Sequence, residues 1–536
     1  MTTELPASLL TQLKNSKDPV QTGKILESIS LHSLKQPAAI KTYHDLLLFH
    51  CAFPGNGHVY KMAINELERI SHEVKRIMDH HNKRNHLALM GSGLPHTQLL
   101  CTYSFSITKW LLKTFPSSVE LDSSKANAHG VRRILYLFLP RTEYQRATQG
   151  DLNLKSRIKL LSGYQDGASQ LNWLIKLFDE SPLPLDVKEE FYEQLKIFVR
   201  WTLNEAFFSR SFLHAETNSI HYIHQFHREV NVGQILKQVI EPQLNISVKT
   251  RKRVVEVMKA TLAFQYKEID PFTYANEREL ELFDLGKGLQ VGLVGMVSEK
   301  KLSIENYTGF MAFRNGVPQA YGGGWIFGQR CKIGINIFES FRKGESAWTF
   351  AQVLRLFYHR HGARQFIVKP FQFGKGNPEG LKSGAFWFYY KLGFRPVEKE
   401  IRELADKEWE KRKPGGKGTR SLSTLKRLAS CNVELKLQRK IWPDYDASVL
   451  SEQFSDRQIK ESLHIGFHFD NATGFSEGLS AIQQNDAWGY VDKSGKIIIE
   501  PHFNFAGSFT DGSAKVMNKG KWMMIDKTGK KIQDIE

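Results

Sequence analysis

The tail of the chain carries its tightest constraint. Phe475, Gly478, Trp488, Asp492, Lys493, Gly495 and Lys496 recur thirty-four positions later as Phe509, Gly512, Trp522, Asp526, Lys527, Gly529 and Lys530. A fixed period means that one small structural unit is used twice. Each copy alternates short apolar stretches with a DKSG or DKTG turn, so stacked β-hairpins are expected. Residues 451–536 therefore read as a small β-rich module.

The remainder is long enough for further domains, since 536 residues suggest about three or four in all. With 41% hydrophobic and 24% charged residues the chain falls among folded proteins and outside collagens and disordered tails. Lys and Arg number 74 against 56 Asp and Glu, a net charge of +18 that attracts anions such as phosphates, nucleic acid or acidic lipid heads. No apolar run reaches the roughly 18 residues that a membrane span needs, and residues 1–17 lack a basic segment followed by an apolar core. Neither a membrane span nor a signal peptide is expected, and the cytoplasm is the expected location. Cys51, Cys101, Cys331 and Cys431 are far apart and form no CxxC pair, so reduced core thiols are expected rather than a zinc site or a disulfide scaffold.

From residue 6 to 268 the patterns are helical. In 60–79, Met62, Ile64, Leu67, Ile70, Val74 and Ile77 form one apolar stripe, and 187–208 reads the same way. Breakers such as Pro54-Gly55-Asn56-Gly57 separate these stretches. Near Leu289 the period changes: 289–296, 307–313, 317–327 and 331–338 read as strands, with Asn315-Gly316 as a hairpin turn. A helix over 348–360, a strand over 366–373 and a helix over 383–392 ending at Gly393 follow. The organisation is thus multidomain: a mainly α-helical region over 1–268, a central α/β (α+β) domain with a mixed sheet over 269–410, a connector over 411–450 and the β module. Between 411 and 440 ten Lys or Arg face one acidic residue, Glu434, which is half of the net charge. This segment reads as a flexible linker running into a solvated helix, with a nucleic-acid or lipid contact as the alternative.

The segment 335–351, INIFESFRKGESAWTFA, joins a strand to an amphipathic helix through a turn with Gly and two cations. Such a turn points backbone N–H groups and the positive helix end at one place, which suits a phosphate. Arg342, Lys343, Gly344, Glu345, Ser346 and Ala347 are the candidate binders, with Gly344 allowing close approach. Gly322-Gly323-Gly324-Trp325 reads as a ligand wall or as a bulge without a ligand. His214, His221, His224 and His227 would bring histidines onto one helix face, but their spacing assigns no carboxylate and no metal site is expected.

The turn 342–347 resembles the Q/R-x-x-G-x-G/A pattern with which the GNAT N-acyltransferase superfamily holds the pyrophosphate of acetyl-CoA. Ala385, Tyr389, Gly393 and Phe394 are similar to the family's A-x-x-x-Y-x-x-x-G-F stretch. The resemblance covers about 289–397. It implies an N-acyltransferase moving an acyl group, acetyl first, from acyl-CoA to an amine acceptor, with Tyr389 as the acid for the leaving thiolate. Backbone of Ile335, Ile337 and Phe338 would face the thioester. Glu339 is the first nominee for base, and Glu379 the second; Trp325, Asn377 and Glu379 are candidates for the acceptor side. Only 298–306 lies where the family commonly has two helices, so the acceptor side would come from the helical region or from loops. Lys382 replaces an Asn usual in the family. The tail, FSEGLSAI and AWGYVDKSGKIII followed by FTDGSAKV and KWMMIDKTGKKI, resembles the bacterial WG repeat, with Met523 where that family usually has Gly. That implies a module for binding or packing. The opposing reading is a non-catalytic adaptor, in which repeats and helices bind protein partners and Trp348 or Phe373 fills the cleft.

Overall fold

The computed structural model describes residues 3–80, 82–122, 134–135, 137–139, 154–204, 208–217, 219–302, 305–412, 421–438 and 469–535. Two compact units divide the chain, 1–441 and 442–536. The helical region and the central sheet, expected as separate domains, fall within the first.

In that unit Asn56 caps helix Gly57–Asp79 by accepting the Val59 N–H at 2.8 Å. Leu67, Ile70, Val74 and Ile77 are buried along it, as the stripe requires, whereas Met62 and Ile64 are half-buried. The expected helix over 187–208 is shorter. Helix Leu185–Leu195 ends where Lys196 turns left-handed (φ +50°), and the chain re-emerges as a strand, Phe198–Thr202. Val199 and Trp201 point inward and Arg200 outward, an alternation of period two that a helix pattern cannot absorb. With β1 (Gln98–Cys101) and β2 (Val119–Asp122), this β3 builds a small antiparallel sheet in the order β1-β3-β2.

The large sheet comprises β4 (Glu281–Asp284), β5 (Leu289–Val294), β6 (Asn306–Arg314), β7 (Val317–Phe327), β8 (Arg330–Ile337), β9 (Gln365–Val368), β10 (Arg395–Pro396) and β11 (Val433–Lys436). Its order is β10-β11-β9-β8-β7-β6-β5-β4, antiparallel throughout except between β8 and β9. Asn315 and Gly316 make the β6–β7 turn with φ of +47° and +80°, as expected for that pair. The strand expected over 366–373 stops at Val368, because Pro370 cannot donate to a ladder and opens a 3₁₀ turn, Pro370–Phe373. The segment read as a basic connector supplies helix Leu422–Leu428 and β11, which inserts between β9 and β10. There Gln365 Nε2 donates to the buried Glu434 carboxylate at 2.8 Å. Residues 413–420 and 439–450 of that segment lie outside the described residues.

Both faces of this sheet are covered. Along β6, Phe310 and Ala312 pack against Phe350, Leu354 and Phe357 of helix Ser346–Arg360. Met311 and Phe313 enter the other core, shared with Leu47, Leu67 and Val257 of the helical region. Strand alternation thus welds helices to either side of one sheet.

Among its described residues the second unit holds two four-stranded antiparallel sheets. One contains β12 (Asn471–Ala472), β13 (Leu479–Gln484), β14 (Ala487–Asp492) and β15 (Ile497–Phe503); the other contains β16 (Phe505–Ala506), β17 (Ser513–Asn518), β18 (Lys521–Asp526) and β19 (Lys531–Ile535). In each, spatial order follows chain order, as stacked hairpins demand. Asp492 accepts from the Ser494 and Lys496 N–H groups, and Asp526 repeats this with Thr528 and Lys530. The substitution of Met523 for Gly has a local reason. A Cβ at Gly489 would sit 2.5 Å from the Ile499 carbonyl in an irregular stretch of ladder, whereas Met523 pairs with Asp534 before the register shifts.

Candidate functional site

β8 and β9 pair only from Arg330 to Lys332. Beyond that point β8 runs on to Ile337 and β9 ends at Val368, which leaves that edge of β8 without a strand partner among the described residues. Between them the chain passes through the 3₁₀ turn Glu339–Phe341 into helix Ser346–Arg360. A cleft of about 510 Å³ opens beside the parted strands.

Many of the expected residues meet there. Ile335, Ile337, Phe338 and Glu339 line one wall, Arg342 and Ser346 the helix start, and Asn377, Glu379 and Tyr389 the opposite side. The first turn of the helix leaves the N–H groups of Ser346, Ala347 and Trp348 without intrahelical acceptors. Arg342 is exposed and its Nη2 lies 2.6 Å from Glu379 Oε1. Hydrogen bonding to that guanidinium, and its charge, hold the Glu379 carboxyl below its ordinary pKa. A carboxylate so stabilised is a poor proton acceptor, which counts against Glu379 as a base.

Tyr389 is 2% exposed. Burial pushes its phenol well above the ordinary value, opposed by hydrogen bonding with the backbone of Ile335. The hydroxyl therefore stays protonated beside the unpaired edge of β8. Neighbouring Tyr390 turns away, its hydroxyl bonded to Asp406 and its ring 3.9 Å beneath Arg395. A step of about 100° per helical residue separates the two.

Five expected residues lie outside the cleft lining. Glu345, not Gly344, occupies the first glycine position of the phosphate-turn pattern, and its carboxylate is turned inward. It accepts from Arg314 Nη2 at 2.7 Å and from the His227 N–H at 2.7 Å, with both Glu345 and Arg314 almost wholly buried. Gly344 packs against the helical region, where a Cβ would lie 2.6 Å from Phe53 Cζ. These contacts brace the turn from behind. Lys343 is exposed, and Ala347 packs on the core side of the helix. Trp325 stacks on Tyr307 with centroids 3.9 Å apart. The glycines before it make room for protein atoms: a Cβ at Gly322 would meet the Gly334 carbonyl at 2.1 Å, and one at Gly324 would meet Phe357 at 2.4 Å. The run thus packs against protein atoms outside the cleft lining, and the register shift of this pair of strands falls between Ala312 and Phe313.

Residues from distant parts of the chain complete the cleft. Gln265 and Lys267 come from just beyond helix Val248–Ala263, so the helical region does contribute a wall. Tyr321, whose phenol burial pushes up to about 12, lies under the Lys267 ammonium at 5.9 Å. No local pattern marks these residues; only the folding of helix onto sheet gathers them. Between His214 and His227 the described residues form no helix, so the premise of a histidine face fails. His227 instead stacks on Trp348 at 5.5 Å.

A family model described as WG containing repeat matches residues 465–486 and 488–522. The C-terminal module therefore carries WG-containing repeats. No curated protein and no solved structure matches the chain. Among the described residues, no helix is long and apolar enough to cross a membrane.

Proposed function

We propose that the first unit is a GNAT-like N-acyltransferase that moves an acyl group from acyl-CoA to an amine acceptor. One observation carries this reading: the parting of parallel strands β8 and β9 places a bare strand edge, a helix N-terminus with Arg342, and the Tyr389 hydroxyl on one cleft. Trp348 and Phe373, the side chains that could have filled it, are absent from its lining. Trp348 stacks on His227, and Phe373 packs against Phe386 and Tyr389.

Acyl-CoA supplies a thioester, at which a C–N bond to the amine forms as the C–S bond breaks. The N–H groups opening helix Ser346–Arg360, together with Arg342, hold the pyrophosphate. The edge of β8 toward Ile337, beyond the Ile335 backbone that Tyr389 engages, orients the thioester and offers an N–H donor to the developing oxyanion. Tyr389, neutral because it is buried, donates its proton to the departing thiolate. Glu339 at the rim accepts the proton lost by the amine, and Gln265 and Lys267 flank the acceptor. The WG repeats, on this reading, hold a protein partner.

Isothermal titration with acetyl-CoA tests the proposal. Micromolar affinity, about −8 kcal/mol, is expected, and Arg342→Glu should weaken it by about a hundredfold. Absence of heat with acetyl-CoA, free CoA and a longer acyl-CoA would overturn it.

A further inference from the structure

A groove of about 790 Å³ runs beside the cleft and shares Ser383, Gly384 and Phe388 with it. Among the described residues its lining carries three cations, Lys382, Lys391 and Arg412, and no carboxylate. All three are exposed. Two indoles stand among them: Trp387 and Trp409 stack with centroids 5.8 Å apart, and the Arg412 guanidinium lies 4.5 Å from the Trp387 ring.

Trp387 adds an independent sign of a ligand. It is 7% exposed, yet its indole N–H has no hydrogen-bond partner among the described residues. Its Cδ1, the atom bonded to that nitrogen, is the nearest neighbour of a Cβ built on Gly384, at 3.9 Å. The donor edge is therefore turned toward the glycine common to groove and cleft. A buried donor without an acceptor is a standing cost that a ligand oxygen or ring nitrogen removes.

Flat aromatic and guanidinium planes, clustered cations and a spare donor match the chemistry of nucleotides: bases stack and phosphates pair. The charge of the adjoining sequence favours a strand over a single nucleotide, since ten Lys or Arg face one acidic residue between 411 and 440. We infer that this groove binds a single-stranded nucleic-acid segment. Bases rest on Trp409 and Arg412, phosphates pair with Lys382 and Lys391, and an acceptor atom takes the Trp387 N–H. The inference stands apart from acyl transfer, because it needs no acyl-CoA.

Fluorescence anisotropy of the full chain with labelled RNA and DNA oligomers of about ten nucleotides provides the test. Saturable binding is expected that weakens about tenfold between roughly 50 and 200 mM salt, with quenching of indole fluorescence. The triple variant K382E/K391E/R412E should lose about tenfold or more in affinity, while K382R/K391R keeps it. Circular dichroism checks that the reversals, at exposed positions, leave the fold intact. No binding to either oligomer at low salt would overturn the inference, as would equal binding by the triple variant. Binding of CoA or 3′-phosphoadenosine in the groove without any oligomer binding would also overturn it.

Discussion

The large sheet and the repeat module solve the same problem, covering a β-sheet, in opposite ways. In the module every strand pairs with its chain neighbour, so hairpin follows hairpin and hydrogen bonding closes locally. In the large sheet β8 reaches β9 only through a helix, and β11 returns from beyond residue 430 to lie between β9 and β10. Non-local pairing leaves one junction parallel and incomplete, and that junction is where the cleft opens. A sheet opens a cleft where its pairing runs out, and a run of consecutive hairpins offers fewer such places.

The largest expected effect tests how differently the two regions use glycine. Gly322→Ala forces a Cβ to within 2.1 Å of the Gly334 carbonyl and should cost about 3 kcal/mol. Gly478→Ala meets no atom within 4 Å and bears only the strain of φ +92°, about 1 kcal/mol. Hydrogen exchange of the β7 and β13 amides in the full chain measures both, and equal costs would break the contrast.

Next comes chemistry at the incomplete junction. Tyr389→Phe should lower turnover about a hundredfold while leaving acetyl-CoA affinity nearly unchanged. Release of CoA thiol against titrated affinity separates the two, and unchanged turnover would remove the acid assignment.

A smaller effect concerns the Arg342–Glu379 pair, which competes with any anion for Arg342. Glu379→Gln should tighten acetyl-CoA binding by about fivefold. Because the Glu379 pKa is depressed, the pair persists at neutral pH and is lost only as pH falls through that lowered value. The gain from the variant should therefore be constant from about pH 5 to 8 and vanish in stronger acid.

The smallest effect belongs to the module. Hydrogen bonds from Ser494 and Thr528, with backbone N–H groups, hold Asp492 and Asp526 below their ordinary pKa. Their contribution is present above the ordinary carboxylate range and fades as pH falls through the depressed values. Protection factors at both turns, taken relative to the intrinsic exchange rate at each pH, should fall in acid in the native chain, and Asp492→Asn with Asp526→Asn should flatten that dependence.

Much of this was legible because it is local. The Asn315–Gly316 turn needs two positive φ angles, and Asp492 and Asp526 announce the same turn twice. What escaped depends on distant partners. β11 lay hidden in a basic stretch because four residues acquire strand character only by pairing with β9 and β10. The Gly322–Gly324 run looked open to a ligand, yet Phe310, Tyr307 and Phe357 occupy the space. Glu345 looked like part of a phosphate turn, yet Arg314, thirty-one positions earlier, draws it inward.

The amino-acid sequence alone determined the repeat, the hairpins, the strand–turn–helix at Arg342 and the charge of the chain, since each follows from spacing along a few residues. Tertiary structure alone decided which of those residues share a cleft. Gln265, Lys267 and Tyr321 reach Arg342 and Tyr389 only because apolar faces on both sides of one sheet bury helices that the sequence places far apart.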